Sequence, residues 1–172
     1  MRLCFSFHTG NMIYLCIMKD LNIDDYLEKP CWVIDILPKQ VPANSPGQYF
    51  RVEKFFLCQP QADAICRKFI NLLVKLNCYY DLEVCRLNNQ TTTNPAPEDL
   101  AEWMLERKLI YVLLAPCPPV EGESEERAMI GFQGDDHYMT LYNPNAELLE
   151  LVRLLAASEG LFVWKPINNN KQ

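Results

Sequence analysis

A chain of 172 residues with 49% hydrophobic and 22% charged residues lies in the globular range and can bury a core without disulfide or metal staples. Its net charge of −6, with 16 Lys and Arg against 22 Asp and Glu and no basic cluster, excludes the concentrated positive surface that a nucleic-acid backbone requires. No stretch approaches the roughly 18 apolar residues of a membrane span, so a cytoplasmic protein is expected, with no membrane and no nucleic-acid partner.

Residues 1–19 read as an N-terminal extension. Arg2 is followed by an apolar stretch, but His8, Thr9, Gly10 and Asn11 interrupt it, so no continuous signal-peptide core forms. Met18, Lys19 and Asp20 stand at the edge of the first structural unit, which makes Met18 an expected translation start; a strand over 12–17 is the rival expectation.

Self-similarity organises the rest of the chain. Asp20 and Leu21 open a stretch that ends Leu27-Glu28-Lys29 and runs into an apolar strand over 31–38. Asp99 and Leu100 open another that ends Leu105-Glu106-Arg107 before a strand over 109–116. Polar, proline-rich loops follow at 39–48 and 117–127, and both strands stop at a proline. In the first unit a single long strand is predicted over 49–57. The second unit carries a hairpin instead, 128–133 and 137–142 around Gly134-Asp135-Asp136.

Gln59-Pro60-Gln61-Ala62-Asp63 and Asn143-Pro144-Asn145-Ala146-Glu147 then open amphipathic helices at 61–77 and 145–158. The first places Ala62, Ile65, Phe69, Leu72, Leu73 and Leu76 on one stripe. The second is expected to take Asn143 as its N-cap and Gly160 just past its end. Strands over 82–86 and 161–165 close the two units, and a further helix with acidic Glu98 and Asp99 at its start is predicted over 97–108.

The predicted fold is therefore α+β: two pseudo-symmetric helix-strand-strand-helix-strand units, mainly antiparallel sheet with helices packed on it. Residues 20–86 form unit one, 87–98 a linker, 99–165 unit two, and 166–172 a disordered tail.

No Walker A loop, G-x-G-x-x-G, H-E-x-x-H, EF-hand loop or G-x-S-x-G elbow occurs, and 6 glycines leave little material for a phosphate cradle. No cofactor and no metal site are expected. The 8 cysteines include no C-x-x-C pair and read as reduced thiols. Asp35 interrupts an apolar strand, and alternation puts it on one face with Cys31, Val33 and Leu37. A carboxylate on a half-buried face needs partners, so Asp35 is a candidate for a cleft between the units.

Asp135, Asp136 and His137 form the densest polar constellation, and Tyr138, Thr140 and Tyr142 share a strand face suited to binding. With Tyr49, which follows the first polar loop, these make the candidate binding set: Asp35, Tyr49, Asp135, Asp136, His137, Tyr138 and Tyr142. The leading functional expectation is a non-enzymatic binding or regulatory module with a small-ligand or protein-partner site where the units meet. The alternatives are a small hydrolase or transferase using Asp135, His137 or Cys117, and an acidic immunity-like inhibitor that covers a basic partner. Nothing in the sequence sets an oligomeric state.

Overall fold

Two periodicities in the sequence, 2 along the strands and 3.6 along the helices, build a sheet and the helices that cover it. The computed structural model describes residues 23–42, 48–86, 90–106, 109–116, 127–134 and 136–167. In chain order the described helices are α1 (Ile23–Leu27), α2 (Gln48–Leu57), α3 (Gln61–Leu76), α4 (Pro97–Leu105) and α5 (Ala146–Ser158). The strands are β1 (Cys31–Asp35), β2 (Tyr80–Arg86), β3 (Thr91–Thr93), β4 (Ile110–Pro116), β5 (Ala128–Phe132), β6 (Tyr138–Tyr142) and β7 (Phe162–Trp164). They form one sheet in the order β3-β2-β4-β5-β6-β1-β7, antiparallel at every pairing. The fold is α+β, and none of the described helices is long and apolar enough to cross a membrane.

Register assigns each strand residue to a face. Ile110, Phe132, Met139, Ile34 and Val163 are successive cross-strand partners and so line one row on the helix side. Against that side α3 lays Ile65, Phe69, Leu72, Leu73 and Leu76, all buried, and Phe69 meets Phe132 with ring centroids 6.0 Å apart. Each such side chain contributes about 1.5–3 kcal/mol relative to an exposed one. Helix α4 adds Leu100 and Met104 to this core, while its Trp103 carries the Arg86 guanidinium 4.1 Å from the ring centroid. On the opposite face α1 seats Ile23 in a smaller cluster with Cys85, Leu113, Met129 and Tyr142.

Segment 49–57 is a helix, α2, and not the predicted strand. Its aromatic and β-branched residues suggest a strand, but the partly covered side chains are Tyr49, Glu53 and Phe56, whose spacing of four and three is that of one helical stripe. The first unit thus departs from the expected strand-strand grammar. The predicted linker is also more structured than expected, because Thr91–Thr93 adds the edge strand β3. Beside it Asn94, at φ 45°, accepts the Leu82 N–H at 2.8 Å and donates to Asp81 at 2.7 Å. The N-terminal extension and the tail beyond Ile167 lie outside the described residues, as do Arg107 and Lys108 at the end of the predicted fourth helix.

The cap of α5 is Asn145, whose side chain accepts the Leu148 N–H at 2.8 Å. Asn143, expected in that role, turns the chain at φ 53° and sends its own N–H to the Pro30 carbonyl at 2.9 Å. Asn-Pro-Asn offers two capping residues, and the one that leaves β6 is used for the turn. Lys75 of α3 joins α5 by hydrogen bonds to Ser158 Oγ and the Glu159 carboxylate. The Lys75 ammonium, seconded by the Asn71 amide, holds the Glu159 carboxyl below its ordinary value.

The end of α5 follows the expectation for Gly160. Leu161 N–H reaches the Ala156 carbonyl at 2.8 Å and Gly160 N–H the Ala157 carbonyl at 3.0 Å, a Schellman closure with Gly160 at φ 68°. Leu161, just beyond, is buried. Replacement of Gly160 by Ala forces a side chain into left-handed backbone and is expected to cost about 1 kcal/mol in urea denaturation. The added methyl meets only the mobile end of Lys68, so crowding adds little.

Candidate functional site

Strand β1 lies between β6 and β7, so its outward residues are flanked by side chains from the far end of the chain. Asp35 stands opposite Tyr138 on one side and Phe162 on the other, and Val33 opposite Thr140 and Trp164. Because Ile34 points into the helix-side core, both Val33 and Asp35 face the other way. They are 3% and 4% exposed, so Asp35 is a carboxylate held almost entirely away from bulk water.

Local geometry accommodates it. Asp35 Oδ1 accepts the Leu37 N–H at 3.0 Å, the turn an Asp makes with the backbone two residues on. The Leu37 carbonyl in turn accepts from Trp164 Nε1 at 3.0 Å, which fixes the indole over this turn. Gln40 accepts the Ile167 N–H at 3.1 Å, tying the loop after β1 to the chain after β7.

These residues line a cavity of about 20 Å³ that is partly open to solvent. Val33, Asp35 and Leu37 form its β1 side, Gln40 and Val41 come from the following loop, and Tyr49 of α2, Tyr138 of β6 and Trp164 of β7 complete the lining. A space of that size admits roughly one water or one small polar group. Among the described residues its lining holds one carboxylate, three aromatic rings and no basic side chain.

Of the residues singled out in the sequence, Asp35, Tyr49 and Tyr138 come together here. Asp136, His137 and Tyr142 do not line the cavity, and Asp135 and Cys117 lie outside the described residues. His137 is buried under α2, with Nε2 3.3 Å from the Glu53 carbonyl and its ring edge-on to Phe56. A carbonyl only accepts, so that nitrogen carries the proton. Trp164, Gln40 and Val41 were missed by sequence reading. Alternation already put Val33 and Leu37 on the Asp35 face; the parity of Trp164 depends on which strand it pairs with.

Among the described residues no group of three His, Cys, Asp or Glu side chains can hold a metal ion. Cys66 and Cys85 are buried, Cys31 half-buried, and Cys58 and Cys78 exposed, all as free thiols. Compared with protein-family models, curated proteins and solved structures, the chain matches none.

Tyr142 is a core residue of the second sheet face, and burial, then the neighbouring Cys31, pushes its phenol up to about 12 from 10.0. The folded protein keeps this phenol neutral after the unfolded chain has begun to ionise. The associated stability is therefore complete below pH 10 and lost progressively as pH rises to about 12. Urea denaturation of wild type and Tyr142→Phe across this range is expected to show the loss in wild type and a shallower fall in the variant.

Proposed function

We propose that this protein is a non-enzymatic binding module whose small-ligand site is the cavity between β1, β6, β7 and α2. The observation that carries the reading is that the cavity draws its walls from both ends of the chain. Asp35, Gln40 and Tyr49 come from residues 20–86, and Tyr138 and Trp164 from residues 99–165. A concave site with converging polar groups and aromatic walls is the usual form of a ligand pocket. His137, spent on the α2 backbone, favours binding over acid-base chemistry.

The two stretches are proposed to be diverged copies, and the setting cytoplasmic. In support of duplication, β1 pairs with β7 while β4 pairs with β2, so each opening strand lies beside the closing strand of the other stretch. The long amphipathic helices α3 and α5 precede those closing strands in the same way. Helix α2 stands where the second stretch has the β5-β6 hairpin.

A fragment panel read by thermal unfolding tests the binding reading. A fragment held at about 100 times its Kd is expected to add about 2.7 kcal/mol of stability. Tyr138→Trp fills the cavity and is expected to abolish that gain while the protein remains folded. Fragments that stabilise both forms equally bind elsewhere and count against the site.

A further inference from the structure

Helix α2 has an inner stripe, Tyr49, Glu53 and Phe56, that is partly covered, and an outer face turned to solvent. The outer face is rich in large apolar side chains: Phe50 and Phe55 are 55% and 56% exposed, Val52 46% and Leu57 36%. Single exposed hydrophobes are ordinary on a protein surface. Four on one helix of ten residues, which itself buries none, mark an interaction surface. The two phenylalanine rings are also held in place. Phe50 meets Tyr49 edge-on with centroids 5.9 Å apart, and Phe55 meets Phe56 at 5.4 Å, so each outer ring leans on an inner one.

The charges of α2 are sorted between the same two faces. Its carboxylate, Glu53, lies on the inner stripe and accepts the Tyr49 hydroxyl at 3.4 Å. Its basic residues, Arg51 and Lys54, are exposed on the outer face, and among the described residues neither is ion-paired. Phe50, Lys54 and Leu57 follow one another at four and three residues, and Arg51 and Phe55 at four, so each row along the helix carries both kinds of side chain. A positive, aromatic strip thus stands on a chain whose net charge is −6.

Charge separates the partners that would cover such a strip. A second copy related by a twofold axis would bring Arg51 and Lys54 against the same two cations. An anionic bilayer would attract the strip but would also face the near side of a molecule that is negative overall. A short acidic segment meets the strip alone.

We propose that the outer face of α2 is a docking surface for an acidic amphipathic segment of another protein, a site separate from the cavity and not dependent on it. Apolar side chains on one helical face of that segment pack against Phe50, Phe55 and Leu57, and its Asp or Glu residues pair with Arg51 and Lys54. Apolar burial supplies the affinity, while the two cations set the partner's charge and orientation. A helix about 15 Å long offers a small interface, so the complex is transient, with micromolar affinity.

Selection of phage-displayed random peptides of about 14 residues against the full chain tests this. Enriched peptides are expected to combine Asp and Glu with Leu, Ile, Phe or Trp at helical spacing. A synthetic copy of one, titrated by fluorescence anisotropy, is expected to bind more weakly as salt rises. Phe55→Ser, and Arg51→Glu with Lys54→Glu, are each expected to weaken it by about tenfold or more. These side chains are exposed, so the variants are expected to keep the thermal unfolding of the wild type. Leu154→Ser, at an exposed apolar position on α5, is expected to change nothing.

Enriched peptides that are neutral or basic, or that bind the α2 variants as tightly as wild type, overturn the proposal, as does a selection that enriches none. A dimer in sedimentation that Phe55→Ser dissociates also overturns it and makes a second copy the occupant. Co-sedimentation with phosphatidylserine vesicles that the charge reversals abolish overturns it in favour of a bilayer.

Discussion

Strand β1 is hydrogen-bonded on both edges to strands from the opposite end of the chain, and the remainder of the architecture depends on that insertion. Cys31 to Asp35 pair with Tyr142 to Tyr138 of β6, and Val33 to Asp35 with Trp164 to Phe162 of β7. Each pairing closes a loop of more than a hundred residues, an entropic cost that grows only logarithmically with length but is met before the contacts form. What repays it is the row of apolar side chains on the helix side, in which Ile34 and Met139 are fully buried beneath the helices. Without β1 the sheet would end at β6 and β7 would have no neighbour.

The same insertion explains why a carboxylate is tolerated in an otherwise apolar strand. Side chains alternate along β1, so a slip of one residue would exchange its faces and carry Asp35 into the helix-side core. There it would lie among Phe132, Met139 and Val163, with desolvation to oppose it and few polar groups to satisfy it. In the observed register it meets the Leu37 N–H and a tyrosine on the next strand. Asp35 thus acts as a register marker as well as a pocket wall: the wrong pairing is penalised by the group that gives the right pairing its chemistry.

How much of this was legible in the sequence follows from the range of the interactions involved. The stripe from Ile65 to Leu76, the strand of Ile110 to Ala115 and the Gly160 stop are written in neighbouring residues and appear where expected. Alternation likewise placed Asp35 with Val33 and Leu37 on one face. Helix α2 was misread because Phe50, Val52, Phe55 and Leu57 have strand-like side chains yet are exposed, leaving the 3.6-residue stripe of Tyr49, Glu53 and Phe56 to decide the conformation. That error hid the position of His137, whose cover is α2 itself. Tyr142 shares its strand face with Tyr138, but only the placement of α1 shows that one tyrosine belongs to a core and the other to a cavity. Trp164 could not be found locally at all, because its face is set by pairing with a residue at the other end of the chain.

Helix α2 links the cavity to the rest of the molecule. It contains no fully buried residue, unlike α3, α4 and α5. Its attachment comes through Tyr49 at the cavity, the Glu53 carbonyl on His137 and the Phe56 ring at the edge of the main core. An element with so little buried apolar surface opens at a lower free energy than the sheet beneath it. The cavity therefore has one wall, Asp35 with Trp164 joined through Leu37, built on the sheet, and another, Tyr49, built on this less anchored helix.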